Sequence, residues 1–152
     1  EKYEETEEFH LFNKFVSEHE DITPYRSEWR VFDEEYNIAG TIDLISKNSV
    51  GYDIYDWKRS KKVVDRYIGE PITFDTWGNK VGIGELKNIG DTSYNKYCLQ
   101  QSLYKFILEK NYNLSISRMF LVVLYPEYDN YYKVEVPYLK ESAEYILNTL
   151  KN

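Results

Sequence analysis

Seven consecutive residues, Met119-Phe120-Leu121-Val122-Val123-Leu124-Tyr125, are apolar or aromatic and stop at Pro126. A run this short and this rich in β-branched and aromatic residues reads as a strand buried on both faces. Such a strand requires a covering layer on each side, and the rest of the chain offers candidates for both. Phe9, Phe12, Phe15 and Val16 recur at three- and four-residue spacings between Glu8 and His19, the stripe of an amphipathic helix, with Pro24 closing that region. Leu99, Leu103, Phe106 and Ile107 repeat in the same way over residues 93–110, with Asp91 or Thr92 as the N-cap. A third helix is expected over residues 139–150.

Strand patterns fill the intervals. Residues 28–33 and 38–46 flank the turn Asp33-Glu34-Glu35-Tyr36-Asn37, which predicts a hairpin. Lys47-Asn48-Ser49-Val50-Gly51 then leads into a third strand over residues 52–58, and residues 131–136 alternate as a partner for the 119–125 run. The expected order is helix, three antiparallel strands, helix, two strands, helix. The 62–90 segment holds five of the seven glycines and is expected to be a short helix or strand followed by an elaborated loop or small β excursion, with 69–90 a variable insertion.

A length of 152 residues, 42% of them hydrophobic, suits a single domain over residues 1–152 and excludes intrinsic disorder. The chain opens without a methionine, so an upstream segment is left open. No stretch reaches the roughly 18 apolar residues of a membrane span, and no secretory leader pattern opens the sequence. The single cysteine, Cys98, excludes an internal disulfide and a cysteine metal cage, which makes a reducing, intracellular setting the expectation. The formal net charge of -7 argues against binding nucleic acid by bulk attraction, so any such contact must be local. Charge is indeed uneven: residues 1–8 carry five glutamates, whereas Lys58, Arg59, Lys61 and Lys62 are clustered.

Two strands carry carboxylates inside apolar sequence: Ile38-Ala39-Gly40-Thr41-Ile42-Asp43-Leu44 and Asp53-Ile54-Tyr55-Asp56-Trp57-Lys58. Alternation puts Asp56 and Lys58 on one face and Trp57 on the other. If the strands pair as a hairpin, Asp43 and Asp56 approach, and two carboxylates at that range need a proton or cation between them. Oxygen donors without Cys or His suit Mg²⁺ or Mn²⁺. That arrangement fits phosphodiester hydrolysis by metal-activated water, with Lys58 orienting or deprotonating the water and offsetting phosphate charge. The competing reading is an ordinary ion pair on a strand.

The ordered set Gly40-Thr41-Ile42-Asp43, Asp56-Trp57-Lys58 and Gln100-Gln101-Ser102-Leu103-Tyr104 resembles the RecB-like branch of the PD-(D/E)XK nuclease superfamily. Two phrases, residues 24–29 and 56–60, are similar to nuclease modules of large DNA viruses and, distantly, to the mitochondrial genome maintenance exonuclease. The resemblance implies an α/β fold with a mixed central sheet flanked by helices, in α-β-β-β-α-β order with an extra strand and a C-terminal helix. It implies that Asp43, Asp56 and the Trp57 backbone carbonyl bind Mg²⁺ or Mn²⁺, that Asp43, Asp56 and Lys58 are catalytic, and that Gln100 and Tyr104 support the site or touch DNA. Glu28 resembles the glutamate that many members carry at the start of the first strand. His10 is the candidate for the metal-binding histidine of an early helix, although it lacks the glycine that precedes that histidine in the family. Arg59 and Lys61 are candidate phosphate contacts.

The implied partner is DNA, single-stranded or with duplex ends, delivered in replication, repair or recombination with or without a helicase. The compartment stays open between a viral replication site, nucleus and organelle. Two alternatives stand beside the deoxyribonuclease: a nuclease-fold DNA-binding or interaction module without catalysis, and an RNA endonuclease on the same core.

Overall fold

The computed structural model describes residues 6–73 and 90–151. Its first helix, α1 (Glu7–Glu18), is capped by Thr6, whose hydroxyl accepts the Phe9 amide at 3.1 Å. Three strands follow, β1 (Thr23–Asp33), β2 (Ile38–Lys47) and β3 (Tyr52–Lys58). A small ribbon of β4 (Val64–Asp65) and β5 (Glu70–Pro71) precedes α2 (Ser93–Asn111). The chain closes with β6 (Ile116–Val123), β7 (Tyr132–Val136) and α3 (Lys140–Lys151). Thr92, not Asp91, caps α2, accepting the Asn95 amide at 3.2 Å.

The central sheet has the order β1-β2-β3-β6-β7. β1, β2 and β3 pair antiparallel, β3 and β6 pair parallel, and β7 returns antiparallel to β6. The sheet is therefore mixed, and the β3-to-β6 connection carries α2 across it, as a parallel pair demands. β6 is the expected doubly covered strand: Leu121, Val122 and Val123 have no exposed surface. On one side Leu11 and Phe15 of α1 pack against Tyr55, Phe120, Val122 and Leu124. On the other, Cys98, Ile107 and Leu108 of α2 pack against Ile45, Ile54, Met119 and Leu121, and α3 lies against α2. The α/β class and the helix-flanked mixed sheet agree with the expectation.

Two strand starts differ by three residues or more. β1 begins at Thr23, five residues before the expected start, and takes in Pro24. An edge strand tolerates proline because one side of its backbone has no partner to serve, and the ladder slips between Pro24 and Arg26. β6 begins at Ile116, three residues early: Ile116 and Arg118 pair with Tyr52 and Asp53, the register shifts past Ser117 between them, and the exposed Ser117 and Arg118 interrupt the apolar pattern. The expected insertion over 69–90 lies outside the described residues from 74 to 89. Among the described residues, no helix is long and apolar enough to cross a membrane.

Candidate active site

β2 and β3 hydrogen-bond as far as the pair Leu44–Tyr55. The next step of that register would set Asp43 opposite Asp56. There the Asp43 carboxylate takes over from the backbone: its Oδ2 accepts the Trp57 amide at 2.9 Å. An extended residue presents its N–H and C=O to the same side of the strand, so the Trp57 carbonyl faces the Asp43 gap too.

The strands also exchange faces at this point. Ser27 and Leu44 line the α1 side, whereas their near neighbours Trp29 and Ile42 pack into the α2-side core. Glu28, between the pairs Ser27–Leu44 and Trp29–Ile42, has φ 48°, a left-handed conformation costly for a residue with a Cβ. This turn of the edge strand accompanies the reversal and helps carry Asp43 toward Asp56.

On β3, period-two alternation places Ile54, Asp56 and Lys58 toward α2 and Tyr55 and Trp57 toward α1, as the sequence suggests. Asp56 is buried, and its Oδ2 lies 2.7 Å from Lys58 Nζ. The approach is oblique: the same oxygen has no aligned hydrogen bond among the described residues. Burial, and after it the neighbouring Asp43 carboxyl, push Asp56 up to about 7 from an ordinary 3.8, against the opposing pull of Lys58. Lys58 is held from the other side by Tyr97 of α2, whose ring centroid is 4.0 Å from Nζ.

Tyr104, two turns further along α2, completes the wall. Burial first, then the charges of Asp56 and Asp43, raise its phenol above the usual tyrosine value, while the Thr41 backbone acts the other way. Its ring lies on Gly40: a Cβ built there would fall 2.5 Å from Oη and 2.8 Å from Cζ. Two segments singled out separately in the sequence, Gly40-Thr41-Ile42-Asp43 and Gln100-to-Tyr104, are thus one contact. Gln100 shares that face of α2 and is exposed.

The remaining candidates lie apart. His10 is exposed on α1, and Glu28 is exposed on β1. Among the described residues, no group of three or more His, Cys, Asp or Glu side chains gathers as a metal-binding set. Arg59 is 3.2 Å from Glu8, which joins the end of β3 to the start of α1. Lys61 is exposed and makes no ion pair among the described residues. Gln101, next to Gln100 in the same motif, has no exposed surface: its Nε2 donates to the Phe120 carbonyl at 3.0 Å, and its Oε1 has no partner among the described residues. It ties α2 to the central strand. Tyr97 lies three residues before Gln100 and seven before Tyr104, and that helical spacing is the signal that puts it beside Lys58.

The donor set can be tested for a divalent ion. Two carboxyls forced together, one with an elevated proton affinity and a buried oxygen lacking an aligned partner, with a backbone carbonyl turned to the same gap, fit a hard cation whose other positions are filled by water or a phosphate. Asp43, Asp56 and the Trp57 carbonyl are the groups that could hold it. No protein-family model and no curated protein sequence matches the chain.

Proposed function

We propose that this chain is a Mg²⁺- or Mn²⁺-dependent deoxyribonuclease of the RecB-like PD-(D/E)XK kind, hydrolysing phosphodiester bonds in single-stranded or end-containing DNA. The observation that carries this reading is the juxtaposition of Asp43, Asp56 and Lys58 on adjoining strands, with Lys58 Nζ 2.7 Å from Asp56. A bound divalent cation would supply Lewis acidity toward the phosphate and lower the pKa of a water.

The chain's own groups do the rest. Asp43 and Asp56 supply the negative charge that draws the cation in, and the Trp57 amide fixes the rotamer of Asp43. Asp56 must give up its proton, which its raised affinity makes a real competition near neutral pH. Lys58, braced by the Tyr97 ring, offers its ammonium to the phosphate or the attacking water. Tyr104 fixes the helix wall above Gly40. Lys61, exposed beyond β3, is available to a flanking phosphate, and Arg59 would have to leave Glu8 to reach one.

A second reading, a DNA-binding module without hydrolysis, draws on the small donor set, since a third carboxylate or an imidazole does not join the pair among the described residues. A time course on end-labelled single-stranded, blocked-end and duplex DNA, with matched RNA, under Mg²⁺, Mn²⁺ or EDTA separates the readings. Metal-dependent DNA cleavage that Asp56→Ala abolishes is expected. Binding without cleavage favours the module, and preferential RNA cleavage moves the activity to an RNA endonuclease.

A further inference from the structure

On the α1 side of the sheet, behind the carboxylate pair, lies a cavity of about 520 Å³ between α1 and the β1–β2 edge. Phe12, Phe15 and Trp57 form aromatic walls, His19 and Glu20 stand at the end of α1, and Asp43 belongs both to this lining and to the pair with Asp56. The walls are packed on one another: Trp57 meets Phe12 and Phe15 edge to face, each at 5.4 Å between centroids. His19 is fixed as well, stacked on Phe15 at 4.0 Å with Nδ1 2.8 Å from the Phe15 carbonyl. With Nδ1 donating to that carbonyl, Nε2 is the acceptor nitrogen, and it makes no hydrogen bond among the described residues.

Resting on the nuclease reading, we propose that this cavity is a base-binding subsite that receives one unpaired nucleobase next to the phosphate held at Asp43, Asp56 and Lys58. Its volume is of the size that takes a small flat ligand, and aromatic walls suit a π-face. Asp43 and Glu20 repel a phosphate from the interior but accept hydrogen bonds from the N–H edge of a base. The phosphate stays on the Lys58 side and the base enters the α1 side, with Asp43 between them. A base can enter such a cavity only when it is out of the helical stack, so single strands and frayed ends are favoured over the interior of a duplex.

The test is photo-cross-linking of the full chain to single-stranded oligonucleotides carrying one 5-iodouracil, with Ca²⁺ in place of Mg²⁺, and peptide mapping of the adducts. Two variants block the cavity from opposite walls: Val16→Trp, at a position 47% exposed on α1, and Ser27→Phe on exposed β1. Adducts on Phe12, His19 or Trp57 are expected. Each variant, checked by its thermal midpoint, is expected to bind the single strand about tenfold more weakly, the scale of one lost base–aromatic stack. Adducts confined elsewhere, or binding and adduct yield unchanged in both variants, would overturn the subsite. Cleavage in Mg²⁺ without cavity adducts would overturn the subsite and leave the nuclease. Cavity adducts without cleavage would support base binding and reject hydrolysis.

Discussion

The carboxylate of Asp43 accepts the backbone amide of Trp57 at 2.9 Å, where β2 has ceased to hydrogen-bond to β3. One side chain thus closes the sheet and stands beside Asp56. The strands open where the chemistry would need room for a cation and a phosphate, and the polar backbone group exposed by the opening is still satisfied.

The Asp56 carboxyl should leave a signature in the pH dependence of stability. Its value in the fold is about 7 against an ordinary 3.8, so between those values the folded chain holds a proton that the unfolded chain has released. Stability therefore falls as pH rises across that window and levels off above it, an effect on the order of a few kcal/mol. Asp33 and Glu35, lowered by Lys110, act at more acid pH and do not interfere. Without divalent ions, the thermal midpoint is expected to drop from pH 5 to pH 8, and Asp56→Asn is expected to flatten that drop. Mg²⁺, replacing the proton, should raise the midpoint more at pH 8 than at pH 5. A wild-type midpoint independent of pH across this range, with no gain from Asn, would contradict the buried pair.

Gly40 and Tyr104 should be coupled energetically. A methyl group at Gly40 would overlap the phenol ring, so Gly40→Ala is expected to cost about 1–3 kcal/mol in urea unfolding, the usual scale of overpacking. In a Tyr104→Ala background the obstruction is gone, and the same change should be neutral or stabilising, since alanine orders more cheaply than glycine. Equal losses in both backgrounds would show that the ring does not sit on β2.

A second buried carboxylate makes the opposite kind of demand. The Asp53 side chain is 4% exposed, and its Oδ2 is 3.1 Å from Arg118. Its Oδ1 has no partner among the described residues. Removing the guanidinium strands the charge, so Arg118→Ala should destabilise by about 1–3 kcal/mol, less than for a fully buried pair because Arg118 is half exposed. Asp53→Asn added to it should recover part of the loss. An Arg118→Ala variant with unchanged denaturant midpoint would place the charge in solvent instead.

Much of this architecture is legible in the chain because the relevant patterns are periodic. Residues 52–58 form an aromatic and β-branched run, and β3 occupies those positions with Asp56 and Lys58 on one face, buried from Asp53 to Asp56 because both faces are covered. The edge strand was harder to see, since the first six residues of β1 are exposed and carry no apolar rhythm. The reversal of faces at Asp43 could not be read at all. Strict alternation would put Ile42 and Leu44 together, yet they belong to opposite layers, and the left-handed backbone that accompanies this falls on Glu28, a residue type that does not announce it. The role of Gln101 is legible from its place in the helix: Tyr94, Cys98, Gln101 and Leu108 form one buried stripe of α2, in which an amide at a core position signals a backbone partner.

Single-turnover cleavage of a single-stranded oligonucleotide in Mg²⁺, comparing the wild type with Lys58→Ala and with DNA binding measured in parallel, is the most direct test of the catalytic assignment. Wild-type cleavage that falls by roughly two to four orders of magnitude in the variant, while binding and fold persist, is the expected result. Cleavage at an unchanged rate in Lys58→Ala, or none in the wild type despite tight binding, would contradict it.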